Sequence, residues 1–246
     1  MKLLLLFLLV VVVFAVDQKD EVTTHIGYAV DLSVPASQQV FECLRHAGYD
    51  YAFVGAYDPS GDGQVYPYAG QNLINAHNAG FGTYAYFTPS LQSSKSPMQQ
   101  FTEIYNHFHN HNMILTEIWL QVTHPIGWPN NAQGNINFIS QILKIASLYK
   151  VKVGIYTSWY DWEQITGNWR LEGHPLWYWN TNGIGNEASG SNDFKDFRPF
   201  GGFTHKDGFM KQYTQGLVEC NGTVFNRNRY VYTLPKVKIG EGVDFD

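Results

Sequence analysis

Charged residues are scarce in this chain of 246 amino acids. Asp, Glu, Lys and Arg make up 15% of the sequence, and the formal net charge is -5 at pH 7. No basic stripe is present, which argues against nucleic acid or an anionic lipid surface as the partner. The hydrophobic fraction of 44% and the aromatic fraction of 16% are instead typical of a folded protein with a sizeable core.

Sequence patterns of several common catalytic sites are also missing. There is no Gly-rich phosphate loop, no Gly-x-Ser-x-Gly segment and no zinc-type cysteine spacing. His107 and His111 have the i, i+4 spacing used by some metal sites, but no third ligand accompanies them. We interpret them as a solvated helix end and predict neither a metal nor a cofactor.

One long apolar run is present, and it lies at the N-terminus. Met1 and Lys2 precede an unbroken apolar stretch over residues 3 to 13, and Ala15 supplies a small residue before a cleavage point. A membrane anchor is the alternative, but a spanning helix needs about 20 apolar residues. We therefore predict a signal peptide over residues 1–15 and one domain over residues 16–246, secreted or in the lumen of a secretory or lysosome-like compartment.

Cysteine is rare, since only Cys43 and Cys220 are present. Export would place both in an oxidising compartment, where pairing is the default and two free thiols are the alternative. We expect one disulfide that ties an N-terminal helix to the C-terminal end of the domain. Asn221 opens an N-glycosylation sequon with Gly222 and Thr223, which predicts a surface loop at that point.

Short β-rich runs alternate with amphipathic stretches at intervals of about 30 residues, as in repeated βα units. We predict strands near residues 26 to 31, 50 to 56, 82 to 87, 117 to 123, 151 to 156, 175 to 180, 208 to 213 and 229 to 233. Helical signals fade after Gly167, and the polar stretch over residues 181 to 207 is long enough to be functional or mobile.

Two helices are clearly marked. One begins with Ser96 as cap, Pro97 in the first helical position and Gln99 completing a capping box. Its predicted buried face is Phe101, Ile104, Tyr105 and Phe108. The predicted buried face of the second helix is Ile136, Ile139, Leu143 and Ala146.

Several strings, in the same order along the chain, resemble glycoside hydrolase family 25 lysozymes, and most closely their invertebrate lysozyme-like branch. These strings are Gly27-Tyr28-Ala29-Val30-Asp31-Leu32-Ser33, Phe53-Val54, Tyr84-Ala85-Tyr86-Phe87, Gly154-Ile155-Tyr156-Thr157-Ser158, Leu176-Trp177-Tyr178-Trp179 and Lys211-Gln212-Tyr213. The resemblance covers roughly residues 25 to 232. It implies an α/β fold, a flattened TIM-like barrel of five βα units followed by three strands, with a groove at the carboxyl ends of the strands.

The same resemblance implies bacterial peptidoglycan as substrate and four acidic positions in the groove. Asp31 matches the acid that ends the first strand of the family. The fourth strand of the family carries an Asp-x-Glu pair, whose positions are taken here by Gln121 and Thr123. A late Asp of the family falls on Asn226. Because glycoside cleavage normally takes two carboxyl groups, these replacements predict a protein that still holds glycan but cleaves it weakly or not at all.

An active muramidase is the alternative, in which Asp31 works with a relocated carboxylate. Asp161 is the first candidate because its loop follows the fifth strand, and the others are Glu117, Glu163, Asp58 and Asp62. Each of these acids is otherwise a solvated loop charge, and Asp31 is otherwise a structural hydrogen-bond acceptor.

Aromatic residues are dense near the predicted strand ends, where they could hold sugar rings. We predict a substrate-binding set of Tyr86, Tyr156, Trp159 and Gln212, with core packing as the alternative for the aromatic members. Trp119 is expected to point away from the barrel interior more than Gln121 does, although strand alternation leaves its role open. A secreted monomer that binds bacterial cell-wall glycan, in innate defence or digestion, is the predicted function.

Overall fold

A computed structural model describes residues 24–233 and 243–245, so the predicted signal peptide lies outside the described residues. The strands are β1 (Thr24–Leu32), β2 (Tyr51–Asp58), β3 (Gln64–Val65), β4 (Gly82–Phe87), β5 (Met113–Leu115), β6 (Glu117–Gln121), β7 (Lys152–Thr157), β8 (Leu176–Trp179), β9 (Gly208–Glu219), β10 (Thr223–Thr233) and β11 (Val243–Phe245). The helices are α1 (Gln38–His46), α2 (Ala69–Asn78), α3 (Pro97–Asn110), α4 (Ala132–Leu148) and α5 (Trp159–Thr166). Within these ranges no helix combines the length and apolar character that crossing a membrane requires.

Eight of the strands form a closed barrel in the order β1-β10-β9-β8-β7-β6-β4-β2, and pairing between β1 and β2 completes the ring. Within this ring all neighbouring strands run parallel except at β10, which is antiparallel to both β1 and β9. The α/β class and a closed barrel with five helices are confirmed. Because the parallel strands share a direction, their carboxyl ends meet at one end of the barrel.

The barrel interior is filled by large aromatic side chains. Trp119 on β6 is fully buried there and packs against Phe53 and Trp177. It lies over Gly154 of the paired strand β7, where an added Cβ would come within 2.4 Å of the indole ring. The expectation that Trp119 points away from the interior is therefore wrong. Residues two apart on a strand share a face, so Trp119 and Gln121 both point inward.

Helix starts follow the local capping chemistry. The Ser96 hydroxyl accepts the Gln99 N–H, and the Gln99 side chain accepts the Ser96 N–H in return, which confirms the predicted capping box of α3. Ser158 caps α5 in the same way by accepting the N–H of Asp161. This cap places the first turn of α5 directly at the carboxyl end of β7.

The buried face of α4 is rotated relative to the prediction. Ile139 and Ala146 are buried as expected, but Ile142 and Asn135 take the central positions, and Ile136 and Leu143 are half-buried. A buried asparagine is tolerated because its Nδ2 donates to the carbonyl oxygens of Pro129 (2.9 Å) and Ile165 (2.8 Å). Apolar periodicity alone does not reveal such a satisfied polar residue.

Strands β9 and β10 are much longer than predicted and form a hairpin that projects beyond the barrel. Near its tip Cys220 forms the predicted disulfide with Cys43 of α1, which is confirmed with a sequence separation of 177 residues. Asn221 lies next to this bond in the hairpin turn and is exposed, as expected for the sequon.

Candidate functional site

A cleft of about 540 Å³ opens at the carboxyl ends of β6, β7 and β8. It is lined by Gln121, Thr123, His124, Pro125, Tyr156, Ser158, Trp159, Tyr160, Asp161, Tyr178, Trp179, Asn180, Thr181 and Gln215. We call this the main cleft. A side cleft of about 270 Å³ shares Gln121, Thr123 and His124 with it and continues past Thr88, Leu91 and Trp128. The two clefts therefore form one groove that runs on both sides of the Gln121–Thr123 pair.

Gln121 and Thr123 are held together at the centre of this groove. Thr88 donates its hydroxyl to Oε1 of Gln121 (2.5 Å), and Nε2 of Gln121 donates to Oγ1 of Thr123 (3.0 Å). Both residues line the main cleft and the side cleft. What they present to a ligand is an amide and a hydroxyl without charge.

Asp31 lies behind the groove rather than in it. Its side chain is buried and belongs to the lining of neither cleft. Oδ1 accepts hydrogen bonds from Gln212 (2.8 Å) and Asn228 (2.7 Å), and Oδ2 accepts one from Asn226 (2.7 Å). The structure thus brings together Asp31, Asn226 and Gln212 as the sequence suggested, but as a buried network.

The three amides around Asp31 cannot turn over, because each carbonyl oxygen already accepts another hydrogen bond. The Asn228 oxygen accepts from Trp177 Nε1, and the Asn226 oxygen accepts from the N–H of Gly216. The Gln212 oxygen accepts from Tyr156 and Gln215, which also line the main cleft. Each amide must therefore direct its N–H group at the carboxylate.

Burial and hydrogen bonding act on the pKa of Asp31 in opposite directions. Burial disfavours the charged form and is the larger effect, whereas the donors Asn228, Asn226 and Gln212 favour it. The result is a pKa of about 6, above the ordinary value of 3.8. Near pH 7 Asp31 is therefore mostly ionised, with amides as its partners.

Asp161 carries the only carboxylate among the residues that line the two clefts, all of which lie within the described range 24–233. It is buried in the first turn of α5, and its Oδ2 accepts the indole N–H of Trp179 at 2.6 Å. Burial raises the pKa of Asp161, although hydrogen bonds from Trp179, Ser158 and the N–H of His124 oppose the shift. Among the five candidate carboxylates, Asp161 is the one that lines the groove, as a catalytic acid must.

The other four candidate acids line neither cleft. Glu117 begins β6, at the end of the barrel opposite the groove, where burial raises its pKa to about 7. Asp62 is exposed and accepts bonds from Ser94, which lower its pKa. Asp58 accepts the N–H of Ser60, and Glu163 is exposed on α5.

Aromatic side chains divide between the groove and the barrel core. Trp159 (38% exposed) and Tyr160 (53% exposed) stand at the mouth of the main cleft, and Tyr156 lines its floor. Tyr86 lines neither cleft and packs against Trp177 in the barrel interior. The position of Tyr86 therefore supports the predicted substrate-binding role less well than the positions of Tyr156 and Trp159 do. Gln212 also lines neither cleft, and it could affect a ligand only through its hydrogen bonds to Tyr156 and Gln215.

A buried lysine of the barrel, Lys211, binds the long segment over residues 181 to 207. Nζ of Lys211 on β9 is paired with Oδ1 of Asp196 (2.5 Å) and donates to the carbonyl oxygen of Asp193 (2.6 Å). Asp196 in turn accepts a hydrogen bond from Asn180, which lines the main cleft. Lys211 therefore holds one wall of the cleft in place.

Two residues at the site are not predicted from the sequence: one lines the groove and the other lies behind its wall. His124 lines both clefts with a left-handed backbone (φ 60°), which non-glycine residues adopt rarely and often near functional sites. Lys211 is fully buried on β9 and lines neither cleft. A charged residue in the middle of an apolar strand is a signal that could have revealed its buried ion pair.

A family model described as Lysozyme-like protein 1 matches residues 22–213. The chain belongs to this lysozyme-like family. It is 41% identical to Lysozyme-like protein 2 of Caenorhabditis elegans over 211 residues, covering 85% of this chain and 75% of that protein. It is 31% identical to Probable GH family 25 lysozyme 5 of Dictyostelium discoideum over 202 residues, covering 80% of this chain and 87% of that protein. The resemblance to glycoside hydrolase family 25 is confirmed.

A solved bacterial lysozyme from Streptomyces coelicolor has a similar fold, with a TM-score of 0.61 and 18% identity over 83% of this chain and 91% of that one. At this identity the likeness concerns the fold alone. Within this lysozyme-like chain the four acid positions of the family resemblance are thus filled by one buried carboxylate (Asp31), two amides (Gln121 and Asn226) and one hydroxyl (Thr123).

Proposed function

We propose that this chain is a secreted lysozyme-like protein that binds the glycan of bacterial peptidoglycan in the groove, in innate defence or digestion, and hydrolyses it weakly or not at all. The observation that carries the proposal is the hydrogen-bonded pair of Gln121 and Thr123 at the groove centre. Neither side chain can deliver a proton near neutral pH, and general acid catalysis is typically worth about 10² to 10⁴ in rate.

The groove has the features of a sugar site. Aromatic rings supply flat apolar contacts at its mouth through Trp159 and Tyr160, whereas amides and hydroxyls supply hydrogen bonds at its centre. We further propose the flattened TIM-like arrangement of five strand–helix units followed by three strands. Its carboxyl end is where barrel enzymes bind their substrates.

The proposed location is extracellular or luminal. The disulfide between Cys43 and Cys220 supports it, because such bonds persist in oxidising compartments. The signal peptide over residues 1–15, the single mature domain over residues 16–246, the monomeric state and glycosylation of Asn221 belong to the same proposal. Exposure of Asn221 in the hairpin turn supports the modification.

An active muramidase remains the second candidate, and Asp161 is the observation that favours it. Its buried carboxyl lines the main cleft with a raised pKa, as a general acid requires. The same arrangement lacks a second carboxylate in the lining of either cleft, whereas glycosidases normally use a pair.

Binding of purified insoluble peptidoglycan, with reducing-end release measured on the same samples, tests the proposal. The wild-type protein should sediment with the glycan and release few or no reducing ends. Trp159→Ala with Tyr160→Ala should weaken binding roughly tenfold through lost ring contacts. Val224→Ala, an exposed apolar residue on β10, is the control and should bind like wild type. Absence of binding by the wild-type protein would refute the proposal.

A further inference from the structure

A second groove lies at the opposite end of the barrel. It consists of two adjoining clefts of about 390 and 440 Å³ that share Gly173, His174 and Pro175. Lys152 and Gly208, which begin β7 and β9, also line it, so it opens at the amino ends of the strands. We call it the basal groove. The six residues of β7 separate it by roughly 15 to 20 Å from the main cleft.

Positive charge dominates the lining of the basal groove. Lys150 and Lys152 line one of its clefts, Lys206 lines the other, and His174 lines both. This concentration stands out on a chain whose formal net charge is -5. The one carboxylate in the lining is Asp207, whose Oδ2 accepts the N–H and the hydroxyl of Thr204, both at 2.7 Å.

The three lysines have no ion-pair partner among residues 24–233. Lys152 lies opposite Glu117 in the register between β6 and β7, and the two charges interact. Burial raises the pKa of Glu117 to about 7, so near neutral pH it cancels only part of the charge of Lys152. The lysine charges are therefore available to an external anion.

His174 adds an imidazole ring of fixed orientation. Its Nδ1 lies 2.7 Å from the carbonyl oxygen of Val153, which can only accept a hydrogen bond. The proton must therefore sit on Nδ1, and Nε2 is left for other partners. The ring therefore places Nε2 at the point where the two clefts meet.

We propose that the basal groove binds a linear anionic glycopolymer of the bacterial wall, with phosphodiester groups contacting Lys150, Lys152 and Lys206. The identity of this polymer rests on the proposed function, because a protein that binds the bacterial wall encounters anionic polymers next to peptidoglycan. Lysine ammonium groups suit phosphate oxygens as point charges. Three lysines on a chain of net negative charge fit a short anionic segment, whereas duplex nucleic acid needs an extended basic surface.

The test measures the affinity of the whole protein for a purified glycerol phosphate polymer from a bacterial wall, at two salt concentrations. Lys150→Glu with Lys206→Glu should lower the affinity roughly tenfold, and salt should weaken wild-type binding much more than binding of this variant. Lys195→Glu reverses one charge, half the change of the double variant, at a side chain 90% exposed outside the groove and should bind like wild type. Thermal unfolding and binding of purified peptidoglycan verify that the double variant is folded.

The outcomes separate the two proposals. If wild type binds the phosphate polymer and not purified peptidoglycan, the basal groove stands and the proposed function fails. Equal polymer binding by wild type and the double variant overturns the basal groove, whatever the glycan result. Equal affinity for duplex DNA, lowered by the same substitutions, overturns the choice of a wall polymer.

Discussion

Gln121 donates an amide N–H to the hydroxyl oxygen of Thr123 over 3.0 Å, at the point where the two halves of the groove meet. Two carboxylates in these places would repel each other unless one kept a proton. An amide and a hydroxyl have no such conflict, and Thr88 completes the chain of hydrogen bonds through Oε1 of Gln121. The centre of the groove is thus a satisfied neutral pair, suited to holding a polar ligand.

Restoring the acids should restore chemistry. Gln121→Asp with Thr123→Glu places two carboxyl groups in the groove, and we expect reducing-end release from peptidoglycan to rise by about 10² or more over wild type. Gln121→Asn with Thr123→Gln has the same shapes without the acids and should stay at the wild-type rate. Equal activity of both variants would mean that these positions do not face the reacting bond.

The buried Asp31 should make stability depend on pH in an unusual direction. Its folded-state pKa is about 6 and its ordinary value is 3.8, so the folded protein holds the proton more tightly than the unfolded chain. Its contribution to the free energy of unfolding is therefore largest below about pH 4, falls as pH rises to about 6 and is then constant, by on the order of 3 kcal/mol in total.

Urea unfolding between pH 4 and pH 7 measures this effect. Asp31→Asn should flatten the curve in that window, whereas Glu163→Gln, at an exposed acid of α5, should leave it as in wild type. If the free energy of unfolding of wild type, relative to that of Asp31→Asn, increased with pH, the amide donors would outweigh burial in setting the pKa of Asp31.

Lys211 should matter for the cleft wall as well as for stability. Lys211→Met removes a fully buried ammonium and leaves Asp196, which is 25% exposed, without its partner. We expect the free energy of unfolding to drop by about 1 to 3 kcal/mol, with faster proteolysis within residues 181 to 207 and weaker glycan binding. Lys195→Met, at a 90% exposed lysine, should change stability by less than about 0.5 kcal/mol. Unchanged proteolysis in Lys211→Met would contradict the anchoring role.

The disulfide closes a very long loop, since its cysteines are 177 residues apart. On the chain-entropy model, Cys43→Ser with Cys220→Ser should lower the free energy of unfolding by about 5 kcal/mol. Chemical denaturation of the oxidised protein and the double variant measures the difference. A loss below about 1 kcal/mol would show that the unfolded chain is hardly constrained by the bond.

Much of the fold could be predicted from local signals. The capping box at Ser96 and the alternation of strands and helices depend on nearby residues, and the structure follows them. The buried Asn135 depends on the carbonyl oxygen of Ile165, 30 residues further along the chain, so periodicity could not reveal it. The long β9–β10 hairpin is local, but its strands continue past the residues where the apolar pattern is clear.

The sequence predicted which residues belong to the site but not how deeply each one is buried. Strand parity correctly placed Gln121 and Thr123 on one face, and the same parity carries Trp119 into the interior. The burial of Asp31 could not be foreseen, because it depends on amides of Asn226 and Asn228 that follow about 195 residues later on β10. A match to a family position indicates where a residue lies on the backbone. The exposure of its side chain is set by the strands that pack around it.

Reducing-end release from purified peptidoglycan, measured for wild type and Asp161→Asn beside an active family 25 lysozyme, tests the central claim most directly. The account predicts that wild type binds the glycan, releases reducing ends at least about 10²-fold more slowly than the active enzyme, and is little changed by the substitution. Release at a comparable rate, abolished in Asp161→Asn, would show that a relocated acid works in the groove and that the chain is a hydrolase.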